Sequence, residues 1–188
     1  MKRITLLAAC FVFLSLGCGG DMEVNPIAQI GRADGWLLAS ITSDMETQVD
    51  AAIAALTDEQ IDNDPRSREN IEAEYETAVR RTTVVDACDQ DDLFFFFNTG
   101  VFRLISSGVA CAAGSDANPL SEYQDLSYSV NSEATELTIR TNGGVFRDRF
   151  TFVEITPDRL VFEGPRVIRD SLFNDLTYQI RYDLIANQ

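Results

Sequence analysis

Asp92-Leu93-Phe94-Phe95-Phe96-Phe97-Asn98-Thr99-Gly100-Val101-Phe102-Arg103-Leu104-Ile105 is the stretch on which the fold turns. Two apolar runs flank Asn-Thr-Gly, and aromatic side chains favour a pleated, half-buried surface, so the segment reads as a tight hairpin between two strands. From Val84 onward the hydrophobic period is two and turn residues recur at short intervals, the pattern of antiparallel sheet. Strands are expected near 92–97, 101–107, 126–130, 135–141, 146–155, 159–163 and 175–185, with further turns at Asn131-Ser132-Glu133, Asn142-Gly143-Gly144 and Thr156-Pro157-Asp158. Upstream, Gly35-Trp36-Leu37-Leu38-Ala39-Ser40-Ile41-Thr42 supplies an eighth strand. Eight short strands joined mostly by hairpins leave no exposed edge if they close on themselves. The fold class expected is therefore mainly β, an eight-stranded antiparallel up-and-down barrel over residues 34–188.

A helical insertion over 43–81 interrupts it after the first strand. Ser43-Asp44-Met45-Glu46 has the form of a capping box, and Met45, Val49, Ile53 and Leu56 follow at helical spacing. Asp62-Asn63-Asp64-Pro65 breaks that helix, and Ser67 can cap a second one with Ile71, Tyr75, Ala78 and Val79 on one face. If Phe95, Phe97, Phe102 and Leu104 point into the barrel by alternation, Phe94 and Phe96 point outward and need cover. The apolar helix faces can supply it, so contact is expected between Phe94 or Phe96 and Ile53, Leu56, Ile71 or Tyr75. Burying two rings is worth a few kcal/mol at about 25 cal/mol per Å².

The first residues carry an address. Met1-Lys2-Arg3 is followed by an apolar run from Ile4 to Leu16 and then Gly17-Cys18-Gly19-Gly20, which reads as a secretion signal over 1–17. The run is shorter than the roughly 20 residues of a spanning helix. Leu14-Ser15-Leu16-Gly17-Cys18 resembles the lipobox of bacterial lipoproteins, although Ser15 stands where Leu is commoner. The resemblance implies acylation of Cys18, a short tether over 18–33 and a lipid anchor in the bacterial cell envelope, with Gly19 favouring the outer membrane. Ordinary signal cleavage after Ser15-Leu16-Gly17 is the rival. It would leave Cys18, Cys88 and Cys111 as an odd set in an oxidising compartment, whereas acylating Cys18 leaves an even pair. Cys88 and Cys111 flank the hairpin, and a structural disulfide there would stabilise by roughly 3 kcal/mol in the chain-entropy model. A redox role would want a close Cys-x-x-Cys pair, which is absent.

Composition excludes several chemistries. Beyond the leader 13 arginines face 30 acids, a net charge of −17, with no lysine and no histidine. Nucleic-acid binding and attraction to anionic lipid need clustered positive charge and are disfavoured. Histidine-dependent triads, lysine Schiff bases and histidine-ligated zinc are ruled out together. Asp86, Asp89, Asp91 and Asp92 could offer oxygen ligands to calcium, but the alternating loop of an EF-hand is missing and a solvated acidic turn is expected instead. Arg103, Arg140, Arg147, Arg149 and Arg181 recur on strands; pairing outward with the many acids is expected over an inward grip on a carboxylate ligand. The acidity also fits adaptation to high salt.

Taken with their order and spacing, Gly35-Trp36, Cys88 leading into Phe97-x-x-Gly100-x-Phe102, Cys111, and Phe152-x-x-x-Ile155-Thr156-Pro157-Asp158-x-Leu160-Val161-Phe162 resemble the lipocalin-like domains found as bacterial cell-envelope lipoproteins. The resemblance covers roughly residues 34–186. It implies a small hydrophobic or amphipathic ligand in a cavity or core lined by Trp36, Phe95, Phe97, Phe102 and Leu104, with Trp36 as barrel plug or plain core aromatic. The family usually spaces Gly and Trp by one residue and lacks the insertion. Twelve phenylalanines leave a filled barrel, acting as a structural or protein-interaction domain, as the alternative. A carboxylate-based hydrolase ranks last, since no acid sits in a recognisable motif, and the chain is read as a non-enzyme with no cofactor, catalytic residue or metal. Protein partners are left unspecified.

Overall fold

A computed structural model describes residues 26–106, 108 and 119–188. Within them the chain forms a closed barrel of eight antiparallel strands in sequence order: β1 (Trp36–Ser43), β2 (Leu93–Phe97), β3 (Val101–Ile105), β4 (Ser127–Val130), β5 (Glu136–Arg140), β6 (Phe146–Ile155), β7 (Arg159–Ile168) and β8 (Leu176–Ala186). β1 pairs with both β2 and β8, so no edge remains. The expected fold class is the one observed.

The hairpins close with the chemistry their sequences carry. Gly100 takes φ +78 in the β2–β3 turn, where a side chain would be strained, and Gly144 takes φ +78 between β5 and β6. Thr156 Oγ1 accepts the Arg159 amide across the β6–β7 turn. Strand β7 extends five residues beyond the expected end at 163, straight through Gly164-Pro165. Pro165 is tolerated because this half of β7 pairs with β8 alone; the β6 register stops at Thr151↔Glu163.

Alternation on β2 is the reverse of the expectation. The turn leaves Phe97 opposite Val101, which pairs Phe96 with Phe102 and Phe94 with Leu104. Directly opposed residues share a face, so an inward Phe102 carries Phe96 and Phe94 inward with it. Phe94, Phe96 and Phe102 are buried, whereas Phe95 is only half-buried and Phe97 is 38% exposed. The expected packing of helices over Phe94 and Phe96 is therefore corrected: those two rings need no outside cover.

The insertion docks elsewhere. It comprises α2 (Met45–Ala54), α3 (Asp58–Asn63) and α4 (Arg68–Arg81), after a short α1 (Pro26–Ile30) ahead of the barrel. The first insertion helix ends at Ala54 rather than at Asp62, and Thr57 starts α3 with a reciprocal capping box to Gln60. No capping box forms at Ser43, which is the last residue of β1; its hydroxyl bonds Thr82, while the Asp44 carboxylate accepts the Gln179 amide. Ser67 caps α4 as expected, accepting from Asn70. α2 lies on β8 with Met45 and Val49 buried, and α4 buries Ile71 and Tyr75. Arg66, held within the insertion by Asp64, ties it to the β7–β8 loop through Asp170, and Tyr75 donates to the same Asp170 at 2.6 Å. The Tyr75 ring meets Phe173 edge to face. Both ends of the barrel are thus covered, one by α1 and the other by α2 and α4.

Candidate functional site

The inward faces of the strands meet along the barrel axis in a continuous set of rings. Phe96 packs on Phe102 at 5.1 Å and Phe162 at 6.4 Å, Phe150 on Phe162 at 5.4 Å and Tyr182 at 5.8 Å, all edge to face. Tyr123, from a 3-10 turn over Pro119–Tyr123, enters the same array against Phe102 and Phe150. Phe94, Phe102, Tyr123, Phe150, Phe162 and Tyr182 are fully buried. Centroid separations of this size are those of rings in contact, so this ladder occupies the space where a barrel-borne ligand would sit.

The expected lining residues separate into two groups. Trp36 is fully buried at the α1 end, its indole N–H donating to the Ile30 carbonyl at 2.9 Å, with Arg32 stacked over the ring at 5.1 Å. Phe102 is in the ladder and Leu104 packs partly buried against it. Phe95 and Phe97 are not interior: they stack on each other outside at 5.6 Å, and Phe95 lies over Gly35. Cys18 and Cys111 fall outside the described residues, and Cys88 is buried. Of the tether expected over 18–33, the segment from Pro26 is folded onto the barrel, with Ile30 buried and Arg32 donating to the Pro157 carbonyl.

A cluster of polar side chains enters the barrel at the α2–α4 end. Arg166, on the inward face of β7, donates to the Tyr123 hydroxyl at 2.6 Å and to Glu122 at 2.8 Å; Tyr123 in turn donates to Asp148 at 2.9 Å. Burial pushes the Tyr123 phenol well above its ordinary range, so it stays a donor. The Tyr182 hydroxyl, also pushed up by burial, lies beside Arg166 without a hydrogen bond of good geometry. Arg147 reaches the same Glu122 and Asp148 and stacks over the Tyr123 ring, so two arginines, two carboxylates and two phenols meet here and together lock the Tyr123 plug into the barrel mouth. A hollow of about 230 Å³ lies next to it, bordered by Met45, Thr82, Glu122, Arg166 and Tyr178.

Arg166 was absent from the arginines singled out in the sequence, although it stands at the inward phase set by Leu160, Phe162 and Gly164. The turn-like Gly164-Pro165 hides that phase. Of those singled out, Arg103 pairs with Asp125, Arg147 with Glu122, Arg149 with Glu136 and Arg181 with Glu163, as expected of outward arginines. The acidic turn at Asp86–Asp92 is not a solvated one: Asp89 and Asp92 are buried, and burial raises the Asp92 carboxyl above its usual range. Among the described residues no group of three or more His, Cys, Asp or Glu is placed to hold a metal ion.

No family of known proteins, no curated protein and no solved structure matches the chain. No described helix is long and apolar enough to cross a membrane.

A second hollow, of about 520 Å³, runs between α2 and α4 on the outside of the barrel. Val49, Ile53 and Val79 form its floor, and Glu46, Asp50, Glu72 and Glu76 stand along its walls.

Proposed function

We propose that the protein is a lipid-anchored component of the bacterial cell envelope whose barrel is a filled scaffold, acting as a structural or protein-interaction domain without an enzymatic reaction. The observation that carries this reading is the unbroken ring ladder from Phe96 through Phe162 to Tyr182, closed at one end by Trp36 with α1 and at the other by Tyr123. A carrier of small hydrophobic ligands needs room inside, and placing one here would mean displacing several fully buried rings at a cost of a few kcal/mol each. The anchor reading is supported by the Cys18 sequence context, and the Cys88–Cys111 disulfide by cysteine parity in an oxidising compartment.

Two measurements test the proposal. Intact mass of the mature protein from its native host should show an acylated Cys18 as the first residue and a Cys88–Cys111 bridge; an unmodified Cys18 in a soluble product would remove the anchor. Native mass spectrometry, with organic extraction of the purified protein, should return the bare polypeptide plus its acyl chains. A stoichiometric co-purifying lipid released on unfolding would restore the carrier reading instead.

A further inference from the structure

The α2–α4 groove has a construction that packing does not explain. α2 and α4 run antiparallel, with the Arg68 guanidinium reaching the Ile53 carbonyl at 3.5 Å to close one end. Glu46 and Asp50 stand one turn apart on α2, and Glu72 and Glu76 one turn apart on α4. Like charges at that spacing destabilise each helix by about 0.2–0.5 kcal/mol per pair. All four are exposed, and among the described residues none of them is in an ion pair, although arginines elsewhere on the surface are matched with acids. Between the acidic walls, Val49 and Ile53 lie one turn apart on the floor with Val79 facing them. Apolar floor and acidic walls are complementary to a helix with an apolar stripe flanked by lysine or arginine.

We infer that the groove between α2 and α4 is a docking site for a cationic amphipathic helical segment of another protein or peptide. The inference deepens the scaffold reading, resting on it for the role of the barrel as support. The groove lies at the end of the barrel where β1 finishes and β8 begins, whereas the chain enters from the N-terminus at the α1–Trp36 end. An anchored protein would therefore hold the groove on the side away from its lipid.

The test uses the full-length chain in zwitterionic detergent and three fluorescent synthetic peptides: a Leu/Lys amphipathic helix, a scrambled peptide of the same composition, and the helix with Gln for Lys. Only the first should bind with micromolar affinity. The D50N/E72Q/E76Q variant should bind it at least tenfold more weakly, and so should I53S, whose folding is checked by its melting temperature. Neutralising three acids at the far end, D34N/E133Q/D158N, should change binding less than twofold. Equal losses in the near and far triple variants, or equal binding of helix and scramble, would reduce the effect to general acidity and overturn the inference. So would a wild-type dimer that I53S dissolves, because the occupant would then be a second copy. Absence of any peptide binding would overturn the docking site while leaving the filled scaffold standing. A lipid recovered from the barrel would do the opposite.

Discussion

Phe96 and Phe97 are adjacent phenylalanines with opposite fates, because a strand presents alternate residues to opposite faces. Truncating Phe96, buried among Phe102, Tyr128 and Phe162, should cost about 3–5 kcal/mol, whereas Phe97→Ala should cost under about 1 kcal/mol. Denaturant titration of the two variants measures the register directly, and a larger loss at Phe97 would refute it. Asp170 makes a different residue-scale prediction. Hydrogen bonds from Arg66, with help from Tyr75 and the Leu172 amide, hold its carboxyl at about 2, below the ordinary aspartate value near 4. A depressed carboxyl contributes stability that is complete above its unfolded value and disappears as pH falls through the folded one. Asp170→Asn should therefore destabilise by about 1–3 kcal/mol at pH 7, with the gap to wild type narrowing between pH 4 and pH 2. A gap independent of pH would assign the loss to packing.

At the scale of elements, the barrel wall is uneven. β7 and β8 stay in register over ten residues, from Arg159↔Ile185 to Ile168↔Leu176. The β2–β3 hairpin, by contrast, joins its neighbours through Trp36↔Phe94 and Leu37↔Leu93 on one side and a short stretch around Val101↔Ser127 on the other. Amide hydrogen exchange should find β2 and β3 opening well before β7 and β8; uniform protection around the barrel would contradict it. Gly164 shows how closely β6 and β7 approach. A Cβ there would lie 2.5 Å from the Arg149 carbonyl oxygen and 3.0 Å from the Phe150 ring. Gly164→Ala should therefore cost about 1–3 kcal/mol through overpacking, read as a lowered melting temperature; an unchanged or raised value would show that the strands can part without loss.

For the whole molecule, the dominant quantity is charge. Residues 18–188 carry −17, and the arginines are largely committed to local pairs, so long-range repulsion among the remaining carboxylates opposes the compact state. Screening at molar salt shortens the Debye length to about 3 Å and should relieve it. The melting temperature is expected to rise from low to molar sodium chloride, and a flat or falling curve would argue against adaptation to high salt.

Much of this architecture was legible in the residues themselves. The two-residue period, the turn sequences and the single change to helical spacing between Ser43 and Arg81 mark eight strands with an insertion, because strand and helix impose different periods on any buried face. Composition alone removes histidine and lysine chemistry. What local pattern cannot supply is phase. Phe94 to Phe97 form an unbroken apolar run, equally greasy on both faces, and only the pairing of Phe96 with Phe102 across a three-residue turn decides which pair enters the barrel. The same holds for Arg166, whose inward direction depends on β7 continuing through Gly164-Pro165 against β8. The acidic groove needs two helices brought side by side from residues 45–54 and 68–81. Periodicity is encoded within one segment, whereas register and juxtaposition are properties of two segments in contact, and only the folded chain contains those.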